Sequence, residues 1–534
     1  MAGFPALQHW FSQSWGIRTA GLTVLAFLQT LLNFLQFNHH KSKESPYLHD
    51  NYAPIREEAF AQNLKVEGTL PAACNGVFMR VGPNPKYQPS GDYHWFDGDG
   101  MLHACRIKDG KVHFSNKWIK TNSQKHEDLV HFPIMLKLGD LKGWIGLLRI
   151  WLFNIFKALG FVNQKAGLGR ANTALVQHSN KLMSLYESDL PYWIRVCCSG
   201  IIETVTRTSF NGAWTHEFTA HPKLDSKTGE MVFFGYNTEK APFVHYGVAD
   251  RSGKVIRNFP IHKINAPTMM HDFAITQQYT ILFENSLVFD GAAMVKEMTM
   301  PFSFKTERKM RFGILKRHAT SDKDMQMFEA DRAMMLWHTA NAWEEGDCIH
   351  LLVCGMSDFQ IKLNENKQES TSRMWEFVFN LKTGEVKRRS VSDHTGCDFP
   401  QGNPSLMGYK SRFVYCTTLL YGETVGFPGL NKFDMSLPEG QQVVATIDHE
   451  GPHRFGGECQ FVPASQNPAE LKGEDDGYLL TYVHDEKTGV SELVCYDART
   501  MSSKPLARVK LPQRVPYGFH SNFMNEQQFR NQLA

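Results

Sequence analysis

The sequence predicts an all-β protein, and three observations carry that expectation. Tight-turn signals recur along the chain, at Lys108-Asp109-Gly110-Lys111, Lys227-Thr228-Gly229-Glu230, Arg251-Ser252-Gly253-Lys254, Lys382-Thr383-Gly384-Glu385 and Lys487-Thr488-Gly489-Val490. Each lies between runs rich in Val, Phe, Tyr and Ile, the pattern of strands joined in hairpins. Helical periodicity is too sparse to supply the crossovers of a parallel sheet. So many strands have edges to protect, and closing small antiparallel sheets into a propeller does so. No WD or kelch signature marks blades, so the repeat period alone does not give that architecture.

At 534 residues the chain is long enough for several domains, although barrels and propellers exceed the usual domain size as one unit. Hydrophobic residues at 42% and charged residues at 21% are ordinary for a globular enzyme, while 41 Gly and 24 Pro fit a chain with many turns. A net charge of +3, with no long Lys/Arg run, argues against nucleic-acid binding. The ten cysteines include no C-x-x-C spacing, so reduced, buried thiols in a reducing compartment are expected. No Ser-His-Asp order, G-x-S-x-G elbow, P-loop or G-x-G-x-x-G fingerprint is present, and Gly98-Asp99-Gly100 reads as a turn.

Two stretches break the β pattern. The first 63 residues form an extension with no acid before Glu44 and a nearly apolar run from Leu22 to Phe37, which reads as a helix. Its Gln29, Asn33 and Gln36 fall at i, i+4 and i+7 and make one narrow uncharged stripe, suited to a membrane surface or to packing on the protein body. No small-residue cleavage site follows, a transmembrane span would be short, and a transit peptide ordinarily has more Arg and Ser. A cytoplasmic, peripheral membrane location is therefore expected, with the plastid as the alternative. The globular part is expected from Leu64 to residue 534, with a helical insertion at about 132–162. On a helical wheel Lys142, Arg149 and Lys157 gather on one side of that insertion, and Trp144, Leu148, Trp151 and Phe156 belong to the apolar remainder. A basic amphipathic helix of this kind docks on a membrane surface.

Four histidines stand at or beside apolar strand ends: His221, His271, His338 and His520. The run Ala266 to Thr276 shows the point, because packing alone would place an aliphatic side chain where His271 stands. Four imidazoles with no cysteine among them disfavour structural zinc and also calcium or magnesium, and leave a first-row metal, iron above all. Neutral imidazoles do not cancel a metal charge, so outer carboxylates are needed to balance it and hold the ring tautomers. Glu187, Glu376 and Glu458, each embedded in apolar or Gly-rich sequence, are the candidates.

The runs "NGVFMRVGPNP" and "YHWFDGDGMLH", followed by "GRANTALVQHSNKLMSLYESDLPY", "FTAHPKLDSKTGEM", "APTMMHDFAIT", "HTANAWEEGD", "RFGGECQFVP" and "RVPYGFH", resemble the carotenoid cleavage oxygenase family from about Leu64 onward. The similarity is greatest to plant and algal enzymes that cut carotenoids at the 9,10 (9',10') double bond. It implies a seven-bladed β-propeller with a helical cap, and a non-haem Fe(II) at its axis on His221, His271, His338 and His520. Glu187, Glu376 and Glu458 are implied as the outer shell, with His221 lacking a Glu. No catalytic side chain beyond the metal centre is implied. The expected reaction is cleavage of a carotenoid or apocarotenoid C=C bond by dioxygen into two carbonyl products, on a substrate drawn from a membrane. A stilbene substrate, a silent carotenoid-binding protein and retinoid isomerisation are the other readings. The locally basic segment Met294 to Met327 and the N-terminal helix do not follow the family text, and the former reads as a solvated loop.

Overall fold

The computed structural model describes residues 15–40, 45–357, 359, 371–392 and 395–532. Its repeated turns work through the acid or amide that precedes them. Asp225 Oδ1 accepts the N–H of Lys227 at 2.9 Å and of Thr228 at 3.2 Å, and Asn380 and Asp485 do the same two and four blades later. The glycine that follows, Gly229, Gly384 or Gly489, takes a positive φ of 74°, 78° or 71°, which a side chain would strain.

These hairpins build seven antiparallel sheets arranged as a seven-bladed propeller. Blade 1 holds Phe60–Leu64, Gly76–Pro83, Gly100–Lys108, Lys111–Trp118 and Ser521–Asn525; blade 2 runs from Ala174–His178 to Ile202–Arg207, and blade 3 from Lys223–Leu224 to Val255–Ile261. Blade 4 runs from Phe273–Ile275 to Gln326–Glu329, blade 5 from Met335–Glu345 to Val386–Ser390, and blade 6 from Cys397–Gln401 to Val443–Asp448. Blade 7 centres on Gly477–Asp485 and Val490–Asp497. Both chain ends close the ring: Ser521–Asn525 pairs with Gly76–Pro83 in blade 1, and Val66–Gly68 pairs with Ala507–Lys510 in blade 7. Such closure removes free sheet edges between first and last blades. The core lies between blades, as where Phe312 of blade 4 meets Phe377 and Phe379 of blade 5.

The chain joins this body earlier than Leu64. Phe60–Leu64 is a blade 1 strand, and Tyr47 and Tyr52 pack with Tyr93, Phe427 and Tyr517. The segment from Met294 to Met327 is also no solvated loop. It forms a short helix and two strands, and four of its cations are paired there: Arg308 and Arg311 on Glu284, Lys305 on Asp290, and the buried Arg317 on Asp225 and Glu230.

The N-terminal helix Trp15–His40 and the inserted helix Gly143–Ala158 pack on each other, and their contact reassigns two sequence features. The polar stripe grips an arginine: the Arg149 guanidinium donates to Gln29 Oε1 at 2.5 Å, Asn33 Oδ1 at 2.5 Å and Gln36 Oε1 at 3.0 Å. Arg149 is 1% exposed, and Lys142 pairs with Asp92, so no solvated cationic stripe exists on the inserted helix. Phe156 is buried as well, among Leu22, Leu25 and Phe153, because the N-terminal helix covers that flank. The outward face is apolar on both helices, with Phe27 69%, Phe34 64%, Trp144 47% and Trp151 60% exposed, and Leu148 half-buried between them. Among the described residues Gly16–Gln36 is the one helix long and apolar enough to cross a membrane by length and composition.

Candidate metal centre

Each of the four histidines sits where the innermost strand of a blade begins or bends. His520 directly precedes Ser521–Asn525 of blade 1, His221 precedes Lys223–Leu224 of blade 3, and His271 precedes Phe273–Ile275 of blade 4. His338 lies within Met335–Glu345 of blade 5, at a bulge between Leu336 and His338 that re-aims the side chain. Ligand atoms of the four all fall within 4.8 Å of one another. The Nε2 atoms of His221 and His271 are 3.1 Å apart, and those of His271 and His338 are 3.0 Å apart.

The opposite ring nitrogens decide what these short separations mean. His271 Nδ1 is bonded to Glu187 Oε1, His338 Nδ1 to Asp398 Oδ1 at 2.7 Å, and His520 Nδ1 to Glu458 Oε1 at 2.9 Å. Each carboxylate accepts an N–H, so each Nε2 presents a lone pair, and lone pairs 3.0 Å apart repel unless a cation lies between them. Nitrogens about 2.1 Å from a shared ion lie about 3.0 Å apart at right angles and about 3.4 Å apart in a tetrahedron. The observed spacing suits right angles. A group of four imidazoles so placed fits a non-haem iron site.

Glu376 does not belong to this arrangement. It lies on Arg373–Asn380, the third strand of blade 5, where it binds His350 Nδ1 at 2.9 Å and the Arg389 guanidinium. Burial pushes its carboxyl up, and these two partners more than offset that. The His338 position is filled by Asp398, on the innermost strand of blade 6, held by Ser372 Oγ at 2.9 Å. The next residue, Phe399, adopts φ 53° and stacks on the His338 ring at 5.0 Å. Glu187 is anchored by the Tyr236 hydroxyl at 2.8 Å, and Glu458 by Gln401 Nε2 at 2.8 Å and the Ser521 N–H at 2.5 Å. All seven blades thus contribute: histidines from 1, 3, 4 and 5, carboxylates from 2, 6 and 7. Among the described residues no carboxylate pairs with His221.

A cavity of about 900 Å³ opens onto this centre, at the upper end for small-molecule sites. Phe96, Trp337, Phe399 and Phe519 line it near the histidines, and Leu136, Leu138 and Leu141 carry it toward the inserted helix. Met269 faces the cavity, whereas its neighbour Met270 is packed in the core.

Residues 52–525 match the retinal pigment epithelial membrane protein family. The chain belongs to that family, the carotenoid cleavage oxygenase family expected from its motifs. Among curated relatives of this carotenoid oxygenase chain, it is 42% identical to the carotenoid 9,10(9',10')-cleavage dioxygenase 1 of Pisum sativum over 501 residues, covering 91% of each chain. It is 41% identical to the carotenoid 9,10(9',10')-cleavage dioxygenase of Crocus sativus, over 92% of this chain and 91% of that one. The solved lignostilbene dioxygenase of Pseudomonas brassicacearum shares the fold at a TM-score of 0.77 and 23% identity, covering 90% of this chain and 99% of its own. An apocarotenoid oxygenase variant from Synechocystis does so at 0.72 and 21%, covering 89% and 98%.

Electrostatics in this carotenoid oxygenase site favour neutral imidazoles on two arms. Burial, followed by the charges of the neighbouring rings, holds His221 and His338 well below the usual histidine value. Burial also opposes charge on His271, but the charge and hydrogen bond of Glu187 outweigh it and raise the group. For Asp398 burial dominates and lifts the carboxyl to about 6, a shift that a cation on the Nε2 atoms would reverse. One brace was not anticipated from the motifs. Lys223 Nζ meets Asp272 Oδ1 at 2.6 Å, both buried, while Asp272 also accepts the N–H of Phe273 and of Thr339, each at 2.7 Å. These residues lie one or two positions after His221, His271 and His338, so one carboxylate ties three ligand-bearing strands together.

Proposed function

We propose that the chain is an iron(II)- and dioxygen-dependent enzyme that cleaves a C=C bond of a carotenoid or apocarotenoid, at the 9,10 and/or 9',10' position, to aldehyde or ketone apocarotenoids. The observation that carries this reading is four imidazoles, three of them held at Nδ1 by carboxylates, converging beside an aromatic-lined cavity. His221, His271, His338 and His520 would hold the iron, with Glu187, Asp398 and Glu458 as the outer carboxylates. When bound, iron on neutral donors supplies the activation of dioxygen beside an electron-rich double bond.

The chain's own residues do the rest by position. The carboxylates fix the tautomers of His271, His338 and His520, so each of these three rings offers a lone pair and no N–H to the reacting atoms. Phe96, Trp337 and Phe399 exclude water and present flat apolar walls to a polyene. No acid or base beyond the metal centre is needed, because the reaction as written moves no proton. The catalytic unit is the single propeller, preceded by the N-terminal extension.

The same reading places the protein in the cytoplasm, bound peripherally to a membrane, with the plastid as the alternative location. Phe27, Phe34, Trp144 and Trp151 support it, since a water-insoluble substrate would pass from lipid toward Leu136, Leu138 and Leu141. Trp144→Glu with Trp151→Glu should cut liposome co-sedimentation several-fold, and unchanged binding would end the membrane reading. For the activity, iron-loaded protein is given carotenoids in micelles beside a hydroxystilbene, and products are read by mass spectrometry. Paired C9/C10 fragments from the carotenoid are expected. Cleavage retained by His271→Ala, or confined to the stilbene, would overturn the proposal.

A further inference from the structure

Blades 5 and 6 meet around three thiols that carotenoid cleavage does not use. Cys354 lies on Cys348–Met356 of blade 5, Cys397 begins the innermost strand of blade 6, and Cys416 lies on the next strand, Phe413–Thr418. Their sulfurs all fall within 4.8 Å of one another, and none of the three side chains has any solvent exposure. Leu352, Met374, Val414 and Phe433 pack in the same hydrophobic cluster. Ser392 Oγ stands 3.5 Å from Cys397 Sγ and accepts the Met374 N–H at 3.0 Å, which places a fourth donor atom at the rim.

We propose that Cys354, Cys397 and Cys416 form a second metal site, distinct from the four-histidine centre, that takes one thiophilic closed-shell ion, Zn(II) or Cu(I). Thiolates are the soft ligands that select these ions over the hard cations. Metal–sulfur bonds of about 2.3 Å set three sulfurs roughly 4 Å apart, so the trio needs to contract by less than about 1 Å. Ser392 Oγ completes four ligands for Zn(II), and the three sulfurs alone suffice for Cu(I). Each thiol that binds as thiolate releases one proton, and no electron is transferred.

The site would be joined to the iron arm at both ends. Cys397 is bonded in sequence to Asp398, the carboxylate on His338, and Cys354 lies directly opposite His338 across the strand pair. Access is short, because Asp398 and Ser372 line the cavity and the Cys397 N–H binds the Ser372 carbonyl at 2.9 Å. An ion there would hold the two strands that position the His338–Asp398 hydrogen bond.

The test uses the full chain, iron-loaded, with the exposed Cys198 and the half-buried Cys197 and Cys348 replaced by Ser to remove competing thiols. Anaerobic equilibration with Zn(II) or Cu(I) against a chromophoric chelator, followed by elemental analysis, should give one extra equivalent per chain in one of the two arms. The Cu(I) form should also show a near-ultraviolet sulfur-to-metal absorption. Cys397→Ala and, separately, Cys416→Val should lose that equivalent while keeping iron and the circular-dichroism melt. No uptake in either arm, or uptake unchanged in a folded variant, would overturn the proposal.

Discussion

Asp272→Asn tests whether one carboxylate braces the ligand strands. The substitution leaves the side-chain volume in place but removes the charge opposite Lys223 and one of two acceptor oxygens. Unit charges 2.6 Å apart attract by about 6 kcal/mol at an effective dielectric of about 20. Desolvation offsets part of that, and removing one partner of a buried pair costs about 3–5 kcal/mol because the other charge is left uncompensated. The orphaned N–H of Phe273 or Thr339 adds about 1–3 kcal/mol. Asp272→Asn should therefore lower the thermal midpoint by several degrees and, because His221, His271 and His338 stand on the tied strands, weaken iron retention in a chelator challenge. Lys223→Met in the same background removes the unpaired ammonium and should restore part of the stability. A double variant no more stable than Asp272→Asn alone, or a single variant with unchanged iron retention, would refute the brace.

Three further outcomes follow from the same contacts. Asp398→Asn should weaken iron binding about 10–100-fold, as loss of a carboxylate behind a ligand imidazole ordinarily does, whereas Glu376→Gln should leave the iron content unchanged; both are read by metal analysis after dialysis. Arg149→Leu strands the carbonyls of Gln29, Asn33 and Gln36 in a buried contact and should cost about 3–5 kcal/mol in denaturant unfolding, with Arg149→Lys recovering only part. Burial holds His94 at about 4, His103 at about 3 and His449 at about 4, so all three are neutral when folded but titrate near 6.5 when unfolded. Their contribution to stability is present above 6.5 and is lost as pH falls below it, by about 1 kcal/mol per group, or about 3 kcal/mol for the three, between pH 6.5 and 5.5. Unfolding at pH 5.5 should take up about three protons more than at pH 8, measured by the pH dependence of denaturant unfolding.

The misassigned acid shows where reading along the chain loses its grip. Glu376 and Asp398 both sit in apolar strand text, and nothing local separates them. Position within the blade does: Glu376 is on a third strand facing His350, and Asp398 is on a first strand facing the axis. Counting one innermost strand per blade would have found it, since Asp398-Phe399-Pro400 stands in its blade as Glu458 to Pro463 stands in the next. The helices carry the same lesson. A stripe of Gln29, Asn33 and Gln36 and a wheel containing Arg149 each look like half of a solvated or lipid-facing surface, and only their contact reveals that the guanidinium donates to all three amide oxygens.

Short stretches of sequence were enough for the all-β class, through turns whose Asx and Gly residues dictate local backbone geometry, and for the four histidines, because an imidazole at an apolar strand end is costly without a partner. Those signals are local, and local chemistry is legible in order of residue number. Tertiary structure alone decided which carboxylate stands behind His338, that Arg149 is clamped and Phe156 is covered, and that Cys354, Cys397 and Cys416 meet. Each depends on distances between residues up to a hundred or more positions apart, and a propeller sets those distances by blade closure, a global constraint that no short stretch contains.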